Sequence, residues 1–246
     1  MRHWIPGKVI ENKLWAQGLY SLYVEAKIAP FQAGQFAQLS LDPQGKVFRP
    51  YSFANAPQEP YLEFYYDVID QGDFSPALAR LQPGETIWLG EKAAGRFTLE
   101  TVPPAKTLWL MATGTGLGVF LALLKTPEAW AKFEHIVLIH SVRQQAYLSH
   151  SALIQEWEAR EGKRFRWLSI VTREEGGIFS KRLPDILESG DLEAYTGLKL
   201  SPETAQVMLC GNPHMLHEVS ACLSARGMHP NRPSKPGHVT TEAYWK

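Results

Sequence analysis

Residues Leu108-Trp109-Leu110-Met111-Ala112 form an unbroken apolar run that ends in Thr113-Gly114-Thr115-Gly116-Leu117-Gly118 and resumes as a second apolar stretch over residues 119–124. A short apolar run closed by glycine reads as a strand buried on both faces, and such strands belong to parallel sheets covered by helices. Parallel neighbours can be joined only by long crossovers, so the chain has to supply further strands and helices in alternation. It does so: buried-type strands are predicted over 107–112, 135–141, 166–172 and 206–210, with helical stretches between them.

Upstream the pattern is different. Short strands are predicted over 19–26, 35–41, 61–68 and 86–89, separated by glycine and proline clusters, which suggests a small antiparallel barrel. The change falls at Thr101-Val102-Pro103-Pro104-Ala105-Lys106, where paired prolines resist both helix and interior strand. A chain of 246 residues accommodates two modest domains, predicted at 1–102 and 103–246.

Charge narrows the partners. Lys plus Arg and Asp plus Glu balance at 25 each, so no global field points to nucleic acid or an anionic membrane, and neither is expected as a partner. Two cysteines make no disulfide framework, no iron-sulfur cluster and no metal hairpin, and the eight histidines contain no His-Glu-x-x-His pattern; no metal is expected. Residues 1–7 hold no apolar signal core, and no segment approaches the roughly 18 apolar residues of a membrane span. The expected location is the cytoplasm, and the expected state a monomer.

Three segments carry chemistry. In the first, Arg49-Pro50-Tyr51-Ser52, proline removes an amide and extends its neighbour, so that charge, flat ring and hydroxyl are offered along one strand; an edge strand with a surface arginine has the same sequence. The second is the glycine turn. Its bare backbone at a helix start, Gly114, Thr115, Gly116 and Gly118, suits a pyrophosphate, or else merely lets strand and helix pack tightly. In the third, Cys210-Gly211-Asn212-Pro213-His214-Met215, Asn212 can cap a helix that Pro213 begins, which places Cys210 at the carboxyl end of a strand. Met215, Val219 and Cys222 then make an apolar stripe, with Cys222 read as core packing. Cys210 is either a ligand-facing thiol or a buried structural one.

These segments, in this order, resemble the bacterial ferredoxin (flavodoxin)–NADP+ reductase family over almost the entire chain. The resemblance implies an FAD-binding antiparallel β-barrel domain followed by an NADP-binding α/β parallel-sheet domain. It further implies flavin contacts from Arg49, Pro50, Tyr51, Ser52, Tyr65, Asp73, Phe74 and Ser75, with Ser75 before Pro76 as the start of a short helix. Gly114, Thr115, Gly116 and Gly118 would meet the nucleotide pyrophosphate. Arg143, Arg173 and Arg182, which follow or lie near predicted strand ends, match the family's 2′-phosphate ligands, and no acidic residue directly ends the strand before Arg143. Ser52, Cys210 and Glu242 would form the hydride-transfer site, with Trp245 on the flavin adenine and Tyr244 supporting it. Lys246 departs from family chains that stop at the tryptophan.

The activity so implied is hydride exchange between NADP(H) and FAD, with single electrons passed to a ferredoxin or flavodoxin. The alternative is an NAD(P)H-dependent flavin or oxygenase-component reductase with another acceptor. Arg226, His229, Arg232 and Lys235 are a local basic stretch that either steers an acidic carrier or is a solvated loop.

Overall fold

In the computed structural model, which describes residues 3–244, the first strand is one that the local pattern does not announce. Strand β1 (Trp4–Ala16) carries Pro6 and Gly7 near its start and serves two neighbours. Its first part, Trp4 to Lys8, pairs with β6 (Thr86–Gly90), and its later part with β2 (Leu19–Glu25), with a register break between Val9 and Glu11. A bulge of that kind bends a strand and so lets one element bridge two faces of a curved sheet. Gly7 lies before the bulge, in the part paired with β6, where a Cβ would lie 2.5 Å from Leu89 Cδ1 and 2.6 Å from Val24 Cγ1; the missing side chain leaves room for both in the core.

With β3 (Phe36–Ser40), β4 (Phe48–Ser52) and β5 (Leu62–Asp67), these strands form a six-stranded antiparallel sheet in the order β4-β3-β6-β1-β2-β5. Its two edges meet just beyond β4, where Phe53 bridges Phe64 and the Ala54 amide donates to the Glu63 carbonyl at 2.8 Å, which closes the sheet into a barrel. Leu22, Val24, Leu39, Phe53, Phe64 and Leu89 fill it.

The chain forms two compact units. The first holds the described residues through Leu99 together with Gly118–Thr126; the second holds Glu100–Leu117 and the described residues from Pro127 onward. This division differs from 1–102 and 103–246 chiefly in the segment that returns. Helix α2 (Leu117–Leu124) is apolar on every face, so it has no side to present to water. In the first unit Gly118 faces Tyr65 and Ala54, and Phe120 lies 5.9 Å from Phe97.

Just past α2, Lys125 enters a buried polar cluster of the same unit. Its Nζ lies 3.0 Å from Glu63 Oε2 and donates to the Ala54 carbonyl at 3.0 Å. Glu63, with a side chain 2% exposed, also accepts from Ser21 Oγ at 2.9 Å and Tyr23 Oη at 3.1 Å. A carboxylate this deep is tolerable only with its acceptor sites filled. Replacing Lys125 by Met should therefore lower stability by about 3 kcal/mol, because it leaves the charge without its cation. Adding Glu63→Gln should recover part of that loss. Urea titration of the single and double variants checks both; additive losses would mean that the two side chains do not interact.

The second unit is built on the parallel sheet that the sequence predicts. Its strands are β7 (Thr107–Thr113), β8 (His135–Val142), β9 (Phe165–Val171), β10 (Ala205–Gly211) and β11 (Val239–Ala243), in the order β11-β10-β7-β8-β9, all parallel. The chain runs outward from β7 through β8 to β9 and then returns to the other side of β7, so the order reverses between β7 and β10. Between and after these strands come α3 (Pro127–Lys132), α4 (Ser151–Glu161), α5 (Leu183–Ser189), α6 (Asp191–Thr196) and α7 (Pro213–Ala225). Trp109, Met111, Ile139, Leu168, Leu209 and Val219 lie in the core.

Candidate functional site

Open parallel sheets bind ligands outside the carboxyl ends of their strands, at the point where the strand order reverses. Here that point lies between the ends of β7 and β10, and side-chain and backbone constraints lock the two together. The Thr113 hydroxyl accepts the Asn212 amide at 2.9 Å. Gly211, at φ 138°, is required beside it, since a Cβ there would lie 2.2 Å from Thr113 Oγ1. Asn212 Oδ1 accepts the His214 amide at 2.8 Å and so caps α7, which Pro213 begins, as the sequence predicts.

The glycines of the turn do different jobs. Gly114 is exposed at φ 53° and has nothing within 4 Å of a Cβ position, so its backbone is open to a ligand. Gly116 is bare because the turn runs against β10: a Cβ would sit 2.3 Å from the Cys210 carbonyl oxygen. Gly118, in the first unit, would carry a Cβ 3.2 Å from that of Tyr65. Thr115 is buried, and its carbonyl accepts the Tyr244 hydroxyl.

Cys210 is fully buried and stands in register with Ala112 on one side and Glu242 on the other. Burial, reinforced by the Glu242 carboxylate, pushes its thiol well above the ordinary range, against a smaller opposing effect of a hydrogen bond with Tyr244. It is therefore a neutral thiol, a packing and dipolar group. Cys210, Glu242 and Tyr244 thus come together because the last described residues form β11, whereas the sequence treats them as a tail. Trp245 and Lys246 lie outside the described residues.

Arg143 and Arg173 follow β8 and β9, both exposed, with the Arg173 amide donating to the Arg143 carbonyl at 2.9 Å. Two guanidinium groups thus leave adjacent backbone positions. Arg182 differs: it precedes α5 and is ion-paired with Glu218 of α7. Arg226, from the predicted basic stretch, is likewise engaged, with Glu193 at 2.7 Å and with the Leu187 carbonyl. Cys222 is half-buried and packs against the core at the margin of the buried stripe Met215, Leu216, Val219 and Leu223, with its Sγ 3.6 Å from Glu188 Oε1.

In the first unit, Arg49, Pro50, Tyr51 and Ser52 lie on β4, an edge strand, where a missing amide is harmless. Arg49 is exposed, with Nη1 donating to the Phe48 carbonyl at 2.9 Å, and Ser52 is half-buried. The Tyr51 ring lies 6.0 Å from Phe74 at 27° and 5.9 Å from Tyr66 edge-on, so the fold brings β4 to helix α1 (Phe74–Leu78). Burial raises the Tyr51 hydroxyl pKa, with Asp67 adding to it. Tyr65 is buried on β5. The helix start is corrected: α1 begins at Phe74, Asp73 precedes it without a side-chain cap, and Ser75 lies inside. The Ser75 hydroxyl accepts the Ile69 amide at 2.9 Å, so it secures the preceding loop and leaves the helix start uncapped.

His140 was not singled out from the sequence, although a polar residue inside an apolar strand is a readable signal. It is fully buried on β8, with Nε2 3.0 Å from the Gly114 carbonyl oxygen. Burial, outweighing the hydrogen bond to Gly114, pushes its pKa from 6.5 down to about 4; nearby His150 acts in the same direction. Since the folded pKa is the lower one, the unfolded chain binds the extra proton between these values, and stability falls as pH drops from about 6.5 to about 4. This contribution amounts to about 3 kcal/mol at full extent. His140→Leu should abolish that part of the slope in denaturant titrations at pH 4.5 and 7; an unchanged slope would refute the assignment.

The parallel-sheet unit has the fold and edge of an oxidoreductase nucleotide-binding domain, the other unit is an antiparallel barrel, and residues 110–221 match the oxidoreductase NAD-binding domain family. The whole chain is 42% identical to the flavodoxin/ferredoxin–NADP reductase of Escherichia coli strain K12, covering 100% of both. It is 34% identical to ferredoxin–NADP reductase A of Sorangium cellulosum, over 97% of this chain and 90% of that one. A ferredoxin NADP+ reductase structure from Neisseria gonorrhoeae, with bound FAD and NADP, superposes with a TM-score of 0.93 at 29% identity, covering 100% of both chains. The chain belongs to the flavodoxin/ferredoxin–NADP reductase family.

Proposed function

We propose that this protein is an FAD-dependent flavodoxin/ferredoxin–NADP+ oxidoreductase. The observation that carries the reading is the carboxyl edge of the parallel sheet, which holds an open glycine turn and a buried thiol at the reversal of strand order and two adjacent exposed arginines after the next strands, β8 and β9. That donor set fits NADP(H). Arg143 and Arg173 would fork onto the 2′-phosphate, with Arg182 joining when it exchanges Glu218 for the ligand. Gly114 and Thr115 would meet the pyrophosphate, with Gly116 and Gly118 giving the turn its close packing. Cys210 and Glu242, side by side in register, would shape the nicotinamide end.

The barrel unit fits FAD. Arg49 is an exposed cation for its phosphates, Tyr51 a ring already held by Phe74, and Ser52 a hydroxyl next to that ring. Pro50, Tyr65, Asp73 and Ser75 complete the proposed contacts, while Tyr244 and Trp245 are assigned to support and adenine stacking. FAD, when bound, supplies the exchange of one hydride for two single electrons. The protein's own residues bind and orient, and none is needed as a nucleophile. Cys210 in particular remains a thiol.

The names of the relatives give the carrier as flavodoxin or ferredoxin. We assign an acidic carrier on the exposed basic residues His229, Arg232 and Lys235, a cytoplasmic location on two cysteines that make no disulfide framework, and a monomeric state as the default. Among the described residues no helix is long and apolar enough to cross a membrane.

Replacing Arg143 and Arg173 together by Ala should raise the KM for NADPH by about 10- to 100-fold, with little change for NADH, because only NADPH carries the phosphate they grip. Steady-state assays with both nucleotides check it. Equal losses would show that the arginines serve the fold or the shared part of the ligand.

A further inference from the structure

Strand β8 (His135–Val142) is buried along almost its whole length, yet it holds a fully buried histidine, His140. His140 Nε2 lies 3.0 Å from the Gly114 carbonyl oxygen, and its Nδ1 has no hydrogen-bond partner among the described residues. Burying an imidazole with one ring nitrogen unsatisfied is costly, and an apolar residue of similar size would avoid that cost. Whatever the histidine contributes therefore comes from its one hydrogen bond. A carbonyl can only accept, so the proton is on Nε2 and the donor's direction is fixed by the strand.

That bond acts on the part of the turn left open. Gly114 has φ 53° and no neighbour near a Cβ position, so sterics alone do not set its peptide plane. Its carbonyl oxygen also accepts the Leu117 amide, and with His140 both of its lone pairs are used. In a trans peptide the carbonyl and the following N–H point in opposite directions, and the described chain contains no cis bond. Drawing the Gly114 carbonyl toward His140 consequently turns the Thr115 N–H the opposite way. The first amides of a helical segment lack intrahelical acceptors, which makes that N–H available to a phosphate oxygen.

We propose that His140 is a positioning residue for nucleotide binding: through the Gly114 carbonyl it presets the peptide whose amide meets the pyrophosphate. This rests on the NADP(H) reading of the same edge. It acts on the pyrophosphate and not on the 2′-phosphate, because the arginines that would hold the latter are on the loops after β8 and β9.

The test uses the FAD-loaded, full-length protein and two ligands, NADP+ and 2′-AMP, the second of which has the 2′-phosphate but no pyrophosphate. His140→Leu removes the donor, and His140→Gln can return an N–H near the original Nε2. Calorimetric titration should show NADP+ weakened by about five- to tenfold in the Leu variant, the size of one hydrogen bond, and largely restored in the Gln variant. Binding of 2′-AMP should stay within twofold throughout. The inference is overturned if NADP+ affinity is unchanged in the Leu variant, or if both ligands weaken together. Should the Leu variant not fold, His140→Asn takes its place, since its shorter amide cannot reach Gly114, with the same expected split from His140→Gln. A wild-type protein that binds neither ligand would instead remove the NADP(H) assignment itself.

Discussion

The structure depends most on the approach of the glycine turn to the end of β10. With Gly116 in the turn, backbone meets backbone; a Cβ there would lie 2.3 Å from the Cys210 carbonyl oxygen, and no side-chain motion could relieve that overlap. Close approach brings three other constraints with it. Thr113 ties the end of β7 to Asn212, Asn212 caps the helix that follows, and Gly211 takes the φ of 138° that makes room for Thr113. As a result the open backbone of Gly114, the Cys210 thiol and the start of α7 are set by the same few contacts.

Chemical restraint follows from burial. At this edge Cys210 and His140 are the groups most easily mistaken for reactive ones, and both are fully buried. Desolvation keeps the thiol protonated and the imidazole neutral. That is the environment expected where binding and orientation matter and a proton-transfer or nucleophilic step at these residues does not.

Much of this was legible in the sequence, because apolar runs, glycines and caps act locally. Strands 107–113, 135–142, 165–171 and 205–211 have cores on both faces, so their composition alone announces them. Strand β1 was not legible, since Pro6 and Gly7 read as a turn and only Val9 and Gly7 of the strand are buried. Strand β11 was missed for a similar reason: Val-Thr-Thr-Glu-Ala has one buried apolar residue and owes its shape to backbone pairing with β10. Partners distant in sequence were equally hidden. Nothing near Ser75 shows that its hydroxyl serves Ile69, and nothing near Arg182 shows that it pairs with Glu218. Gly116 and Gly118 look alike in sequence, and only the fold distinguishes the backbone of Cys210 from the Cβ of Tyr65 as what each must avoid.

The function proposed for this chain couples a nicotinamide nucleotide to a one-electron carrier through bound FAD. The most direct measurement is anaerobic rapid mixing of the FAD-loaded protein with NADPH and either oxidised flavodoxin or oxidised ferredoxin, following flavin and carrier absorbance together. The flavin should bleach rapidly, followed by many turnovers of carrier reduction per protein. A flavin that does not bleach with NADPH, or one that bleaches while both carriers stay oxidised, would contradict that function.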